Sequence, residues 1–254
     1  MSPIVISLLI VTGLVILVAI GYINHMVENS KLEKARLRAD LNDRARRSRD
    51  VSDNLPGQLM TPALKLLLSR FELQFSDRLL PLDKANSALR SRIIELRELV
   101  NKNELIPINN PPQPIHNEAK AKEVRFILEN LNSQISRATQ DGLMQVNEAK
   151  HWNKEIQHML CLLHIDFFNS LGQQALQKEQ PGQARLAFER GVQYLRKQPE
   201  PGKYQAQLAQ MENQLNRANA MVLEDTKPVA DEVNQLTEGL KSLDDDDSWK
   251  KKSF

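Results

Sequence analysis

Cysteine is all but missing: Cys161 is the only one among 254 residues, so no intramolecular disulfide can form and a stapled secreted fold is excluded. Glycine is scarce, at nine residues, and aromatics make up 5%. No run of alternating Val, Ile or Thr is present, which argues against any sheet. With no strand and no Gly-rich loop there is nothing to cradle a nucleotide phosphate, and no Ser, His and Asp arrangement marks a nucleophile elbow. The overall charge of +2 is too small to predict nucleic acid as a partner. What is abundant is Leu, Ala, Gln, Asn, Glu, Lys and Arg, the composition of an all-α protein.

The first long feature is apolar. Ile4 to Ile23 reads IVISLLIVTGLVILVAIGYI, twenty residues without a charge, and as a helix it would span roughly 30 Å, the thickness of a bilayer's hydrocarbon core. It is too long for a secretory signal, with no basic residue before it and no A-x-A pattern after it. Residues 1–23 are therefore expected to be an N-terminal transmembrane anchor. Residues 31–49 hold eight Lys and Arg against three acidic residues, and no basic residue precedes the run. The positive-inside rule then places the N-terminus outside and the C-terminal domain in the cytoplasm. The expected location is the inner (cytoplasmic) membrane as a single-pass protein, bacterial by its likeness to small single-span envelope proteins.

Residues 24–57 are expected to be a basic juxtamembrane helix and a linker, SDNLPG over 52–57. Its stripe of Leu32, Ala35, Ala39 and Leu41 is too thin to bury much. Arg36, Arg44, Arg46, Arg47 and Arg49 are candidates for contact with anionic lipid, which makes the bilayer an expected partner.

A helical domain is expected over 58–222. Thr61-Pro62 is an N-cap followed by proline at the first helical position. Leu64, Leu68, Phe71, Phe75 and Leu79 then share one face of a helix over 62–80. Ala85, Leu89, Ile93, Leu96 and Val100 give a second helix over 82–104, and the short break between the two predicts an antiparallel hairpin. Four prolines in IPINNPPQPIHN (106–117) make a semi-rigid connector. From Ala121 a heptad seam runs through Val124, Leu128, Leu131, Ile135 and Ala138 to Ala149, Trp152, Ile156, Met159 and Leu163. It predicts one helix over 118–178, or two nearly collinear ones with a bend near Gly142. The seam has two candidate partners, the 62–103 hairpin or a second chain in a homodimer.

Two more helices are expected, over 183–197 and 203–222. Phe168, Leu171, Gly172, Ala184, Phe188 and Gly191 have spacings that resemble a tetratricopeptide repeat, across residues 165–199. In this reading Gly172 and Ala184 let two helices approach, Phe188 fills the space between them, and Gln180-Pro181-Gly182 turns the chain. The resemblance implies binding of an unidentified protein partner, with Asn169, Gln173, Arg185 and Arg190 as candidate contacts. Leu208, Met211, Leu215, Ala218 and Val222 provide a capping stripe on the last helix.

Residues 223–254 are expected to be a disordered acidic tail, with Trp249 and Phe254 as candidate docking anchors. Two Glu-x-x-His pairs, Glu148 with His151 and Glu155 with His158, lie one heptad apart on a single helix and cannot share a metal. His158, Cys161 and His164 are expected to be a solvent flank beside a core thiol. The functional expectation is a membrane-anchored cytoplasmic scaffold or adaptor, similar in layout to membrane-anchored coiled-coil envelope and division accessory proteins. No catalysis, cofactor or metal is expected. The alternatives are a ligand- or metal-binding regulatory subunit, and a nucleic-acid or anionic-lipid tether through the basic stalk.

Overall fold

A computed structural model describes residues 3–103 and 106–224; in the first turns of α1 only Gly13, Leu17 and the residues from 20 onward have described side chains. The described chain is all-helical: α1 (Pro3–Asn54), α2 (Pro62–Leu79), α3 (Ser87–Asn101), α4 (Glu118–Gln140), α5 (Val146–Gln177), α6 (Pro181–Arg196) and α7 (Gln205–Glu224). Short 3₁₀ turns occupy Leu80–Leu82 and Pro201–Tyr204. The described residues form two compact units, one from 3–54, 60–103 and 106–109, the other from 55–59 and 110–224.

The expected membrane span is corrected. Among the described residues no helix is long and apolar enough to cross a membrane. Most side chains of the Ile4 to Ile23 stretch lie outside the described residues. The helix does not stop where the apolar run stops: α1 continues unbroken to Asn54, and its described part is charge-rich from Glu28 onward. The single-pass topology, the outside N-terminus and the inner-membrane location with a cytoplasmic domain are set aside with the span.

In the first unit α1 packs on α2 along a seam richer than its apolar residues suggest. Leu41, Ala45, Ser48, Val51 and Ser52 are buried, opposite Leu64, Leu68, Phe71, Phe75 and Leu79. The serines are small enough for close approach, and Ser48 Oγ donates back to the Arg44 carbonyl at 3.2 Å, so its burial leaves no orphan hydroxyl. Thr61 caps α2 by accepting from the Leu64 amide, as its sequence predicts. α3 starts at Ser87 and not at Leu82, because Asn86 is its N-cap, Oδ1 accepting from the Leu89 amide at 3.0 Å.

Three helices meet at one buried carboxylate. Glu72, with 3% of its side chain exposed, accepts from Arg49 Nε at 2.8 Å, and from Arg92 Nε at 2.8 Å and Nη2 at 2.9 Å. The hydrogen bond to Glu72 is the largest influence on Arg92 and holds its guanidinium above its ordinary pKa against the cost of burial. Lys65 lies beside this cluster, its Nζ donating to the Ser52 carbonyl at 3.2 Å; burial lowers its pKa, with Asp53 opposing the shift.

The second unit is a run of helices in which each packs on the next, α4 on α5, α5 on α6 and α6 on α7. The heptad seam closes on itself here, and α4 and α5 are a folded-back hairpin instead of collinear pieces. Gly142 is the reason. At φ +70° it ends α4 with paired bonds, Leu143 N to Ala138 O at 2.8 Å and Gly142 N to Thr139 O at 3.1 Å, the glycine C-cap that reverses a chain. α5 ends the same way with Glu179 at φ 55°, where Gln180 N reaches Ala175 O at 2.9 Å. The reversal is thus at Glu179, and Pro181 belongs to α6 as its first residue.

The proline-rich connector is strapped down within this unit. Gly57 N donates to Pro111 O at 3.0 Å, Asn110 Nδ2 to Leu55 O at 2.8 Å, and Gln58 exchanges two bonds with Gln113. Any side chain at Gly57 would strike the Asn110 carbonyl.

Candidate interaction surface

α6 buries Ala184, Ala187, Phe188, Gly191, Val192 and Leu195. The phase that sends these inward leaves Arg185, Glu189, Gln193 and Arg196 along one flank, at the helical spacing of three and four. On α7, Met211 and Ala218 are buried and Glu212, Asn216 and Asn219 fall on the neighbouring flank. The two flanks face each other across an open groove of about 690 Å³, floored by Val192 and Leu215. One end is fixed by Arg196 Nη2, 2.7 Å from Glu212 Oε1. Arg185, Asn216 and Asn219 make no hydrogen bond or ion pair among the described residues, so their polar groups face the groove uncommitted.

Of the expected contact residues, Arg185 alone lines this groove. Asn169 and Gln173 are half-buried on α5, four residues apart and outside it. Arg190 is also outside it, half-buried, with Nη1 sealed from solvent and unpartnered among the described residues. Trp249 and Phe254, with the rest of residues 225–254, lie outside the described residues. The basic-stalk candidates are mostly engaged: Arg49 binds Glu72, Arg47 sits 2.8 Å from Asp43, and Arg44 sits 2.9 Å from Asp40 with its guanidinium over the Phe75 ring. Arg46 is 3.9 Å from Asp50, and Arg36 is exposed.

His158 and His164 of α5 are structural partners, which corrects the expected solvent flank. His164 is buried, its Nδ1 at 2.7 Å from the Leu160 carbonyl and its ring stacked 4.6 Å from Tyr194. His158 Nδ1 is 2.8 Å from the Tyr204 hydroxyl, the two rings stacked at 5.6 Å. Cys161 is buried one turn further on. Among the described residues no group of three or more His, Cys, Asp and Glu is placed to hold a metal ion.

Burial lowers the His158 pKa, Lys203 adding to the shift and Glu155 opposing it; burial first, then Cys161, raises that of Tyr204. The unfolded chain takes up a proton at His158 near pH 6.5 and the folded chain only lower, so the contribution is full above about pH 6.5 and is lost as pH falls through the folded value. The urea midpoint should therefore fall on acidification below pH 6.5, and His158→Gln should make that fall shallower. Asp166, raised by burial, acts in the opposite sense and nearer the carboxylate range.

Comparison with family models, with curated proteins and with solved structures returned no match. The resemblance to a tetratricopeptide repeat, and the likeness to membrane-anchored division accessory proteins, are corrected on that finding. What the spacing of residues 165–199 reflects is local packing. Gly172 lies against the Phe188 ring and Gly191 against Met211 and Phe168, contacts that any closely packed pair of helices needs. The groove on α7 could have been sought in the polar positions beside its apolar stripe, but it takes both helices to define it.

Proposed function

We propose that this chain is a helical scaffold that binds a protein partner through the α6–α7 groove, and that its role is binding and not catalysis. The observation that carries the reading is the pairing of an apolar floor, Val192 and Leu215, with the uncommitted polar groups of Arg185, Asn216 and Asn219. An apolar centre under a polar rim is the usual anatomy of a protein contact surface. Both flanks belong to well-packed helices, so the groove is preformed and a partner spends little free energy on ordering it.

A photo-crosslinking amino acid at exposed Asn216, in the full chain in its native cell, tests this, with exposed Lys122 on α4 as the control position. A discrete adduct is expected at 216 and none at 122, and Arg185→Glu should reduce it by about fivefold, the effect of about 1 kcal/mol. Equal labelling at both positions would overturn the reading. An adduct of twice the chain's mass would identify the partner as a second copy.

A further inference from the structure

The first unit carries a second trough, of about 730 Å³, between α1 and the turn that follows α2. One wall is the α1 face bearing Lys31, Lys34 and Arg38, three and four residues apart, so that the cations stand in a row. The single carboxylate in the trough, Asp83, is already taken: Arg38 Nη2 holds Oδ2 at 2.7 Å, and Asn86 Nδ2 donates to the same oxygen at 3.1 Å. Lys31 and Lys34 have no ion-pair partner among the described residues. The floor is apolar, with Ala35 and Ala39 one turn apart on α1 opposite Leu79, Pro81 and Leu82. The two alanines make the trough, since larger side chains there would fill it.

We infer that this trough binds an acidic amphipathic peptide segment of a partner protein, its carboxylates on Lys31 and Lys34 and its bulky apolar side chains on the Ala35–Ala39 floor. The charge of the wall selects an anion. The floor selects a peptide over a nucleic acid, because a sugar–phosphate backbone carries no bulky aliphatic side chain to cover Ala35 and Ala39 beside the cationic wall. The inference is independent of the α6–α7 reading, since it rests on other helices and another unit.

Fluorescence anisotropy on the full chain tests it, with a labelled helical peptide of about 15 residues that carries Glu on one face and Leu on the other. Saturable binding that weakens with salt is expected. Lys31→Glu with Lys34→Glu should weaken it about tenfold or more, as reversal of two rim charges does. Ala39→Trp, which keeps every charge and fills the trough, should weaken it by about as much. Both lysines and Ala39 are exposed, so unchanged circular dichroism is expected in each variant. Absence of saturable binding, Ala39→Trp binding within about twofold of wild type, or equal displacement by a single-stranded oligonucleotide of the same charge would each overturn the proposal.

Discussion

Replacing Arg49 and Arg92 together by Met is expected to destabilise the first unit by about 3–5 kcal/mol, and more than replacing Glu72 itself. The asymmetry comes from exposure. Glu72 is 3% exposed, while Arg49 and Arg92 are 43% and 30% exposed. If the carboxylate is removed, the two guanidiniums still reach water and recover much of their hydration, so Glu72→Met should cost only about 1–3 kcal/mol. If the guanidiniums are removed, the carboxylate stays between α1, α2 and α3 with both ion-pair partners gone, only the longer-range attraction of Lys65 left and no route to solvent. Adding Glu72→Met to the double variant should then restore most of the loss, because an apolar group of similar volume replaces a stranded charge. Hydrogen-exchange protection of the α2 amides is the measurement, since it reads this unit alone. A double variant no less protected than Glu72→Met would show that the carboxylate is not stranded.

The same residues show why parts of the fold were legible in the sequence and others were not. The faces of α2, α4 and α5 could be read because Leu, Ile, Phe and Trp repeat at three and four. The contact of α1 with α2 is hard to read from the sequence because buried Ser48 and Ser52 stand between Leu41, Ala45 and Val51, and Glu72 is buried opposite, residue types that a count of apolar positions scores as exposed. Their burial depends on partners distant in sequence. Pro81 before Leu82 imitates a helix start, but the side-chain cap is five residues later at Asn86. The weak point at Gly142 was visible, yet a weak point does not say whether a chain bends or reverses; the positive φ there decides it. Arg185 can be named as a candidate from α6 alone. Glu212, Asn216 and Asn219 cannot, because a groove is a property of two helices side by side.

The Gly172 and Phe188 contact should be the most sensitive point of the second unit. Phe188 is fully buried, and Phe188→Ala is expected to cost about 3–5 kcal/mol, the transfer of the ring plus the cavity it leaves between α5 and α6. Gly172→Ala tests the same contact from the other side. A Cβ there would overlap the Phe188 ring, an overpacking worth about 1–3 kcal/mol, offset by the roughly 1 kcal/mol that alanine gains over glycine within a helix. Gly191→Ala should be milder, because the atoms it meets first belong to the flexible thioether of Met211, which can turn aside where a packed ring cannot. Urea unfolding followed by Trp152 fluorescence in a Trp249→Phe background reads this unit. In that assay Gly172→Ala with Phe188→Leu should be more stable than the sum of the single losses, since the smaller side chain vacates the space the new methyl needs. Strictly additive losses would mean that the glycine serves something other than the approach of the phenyl ring.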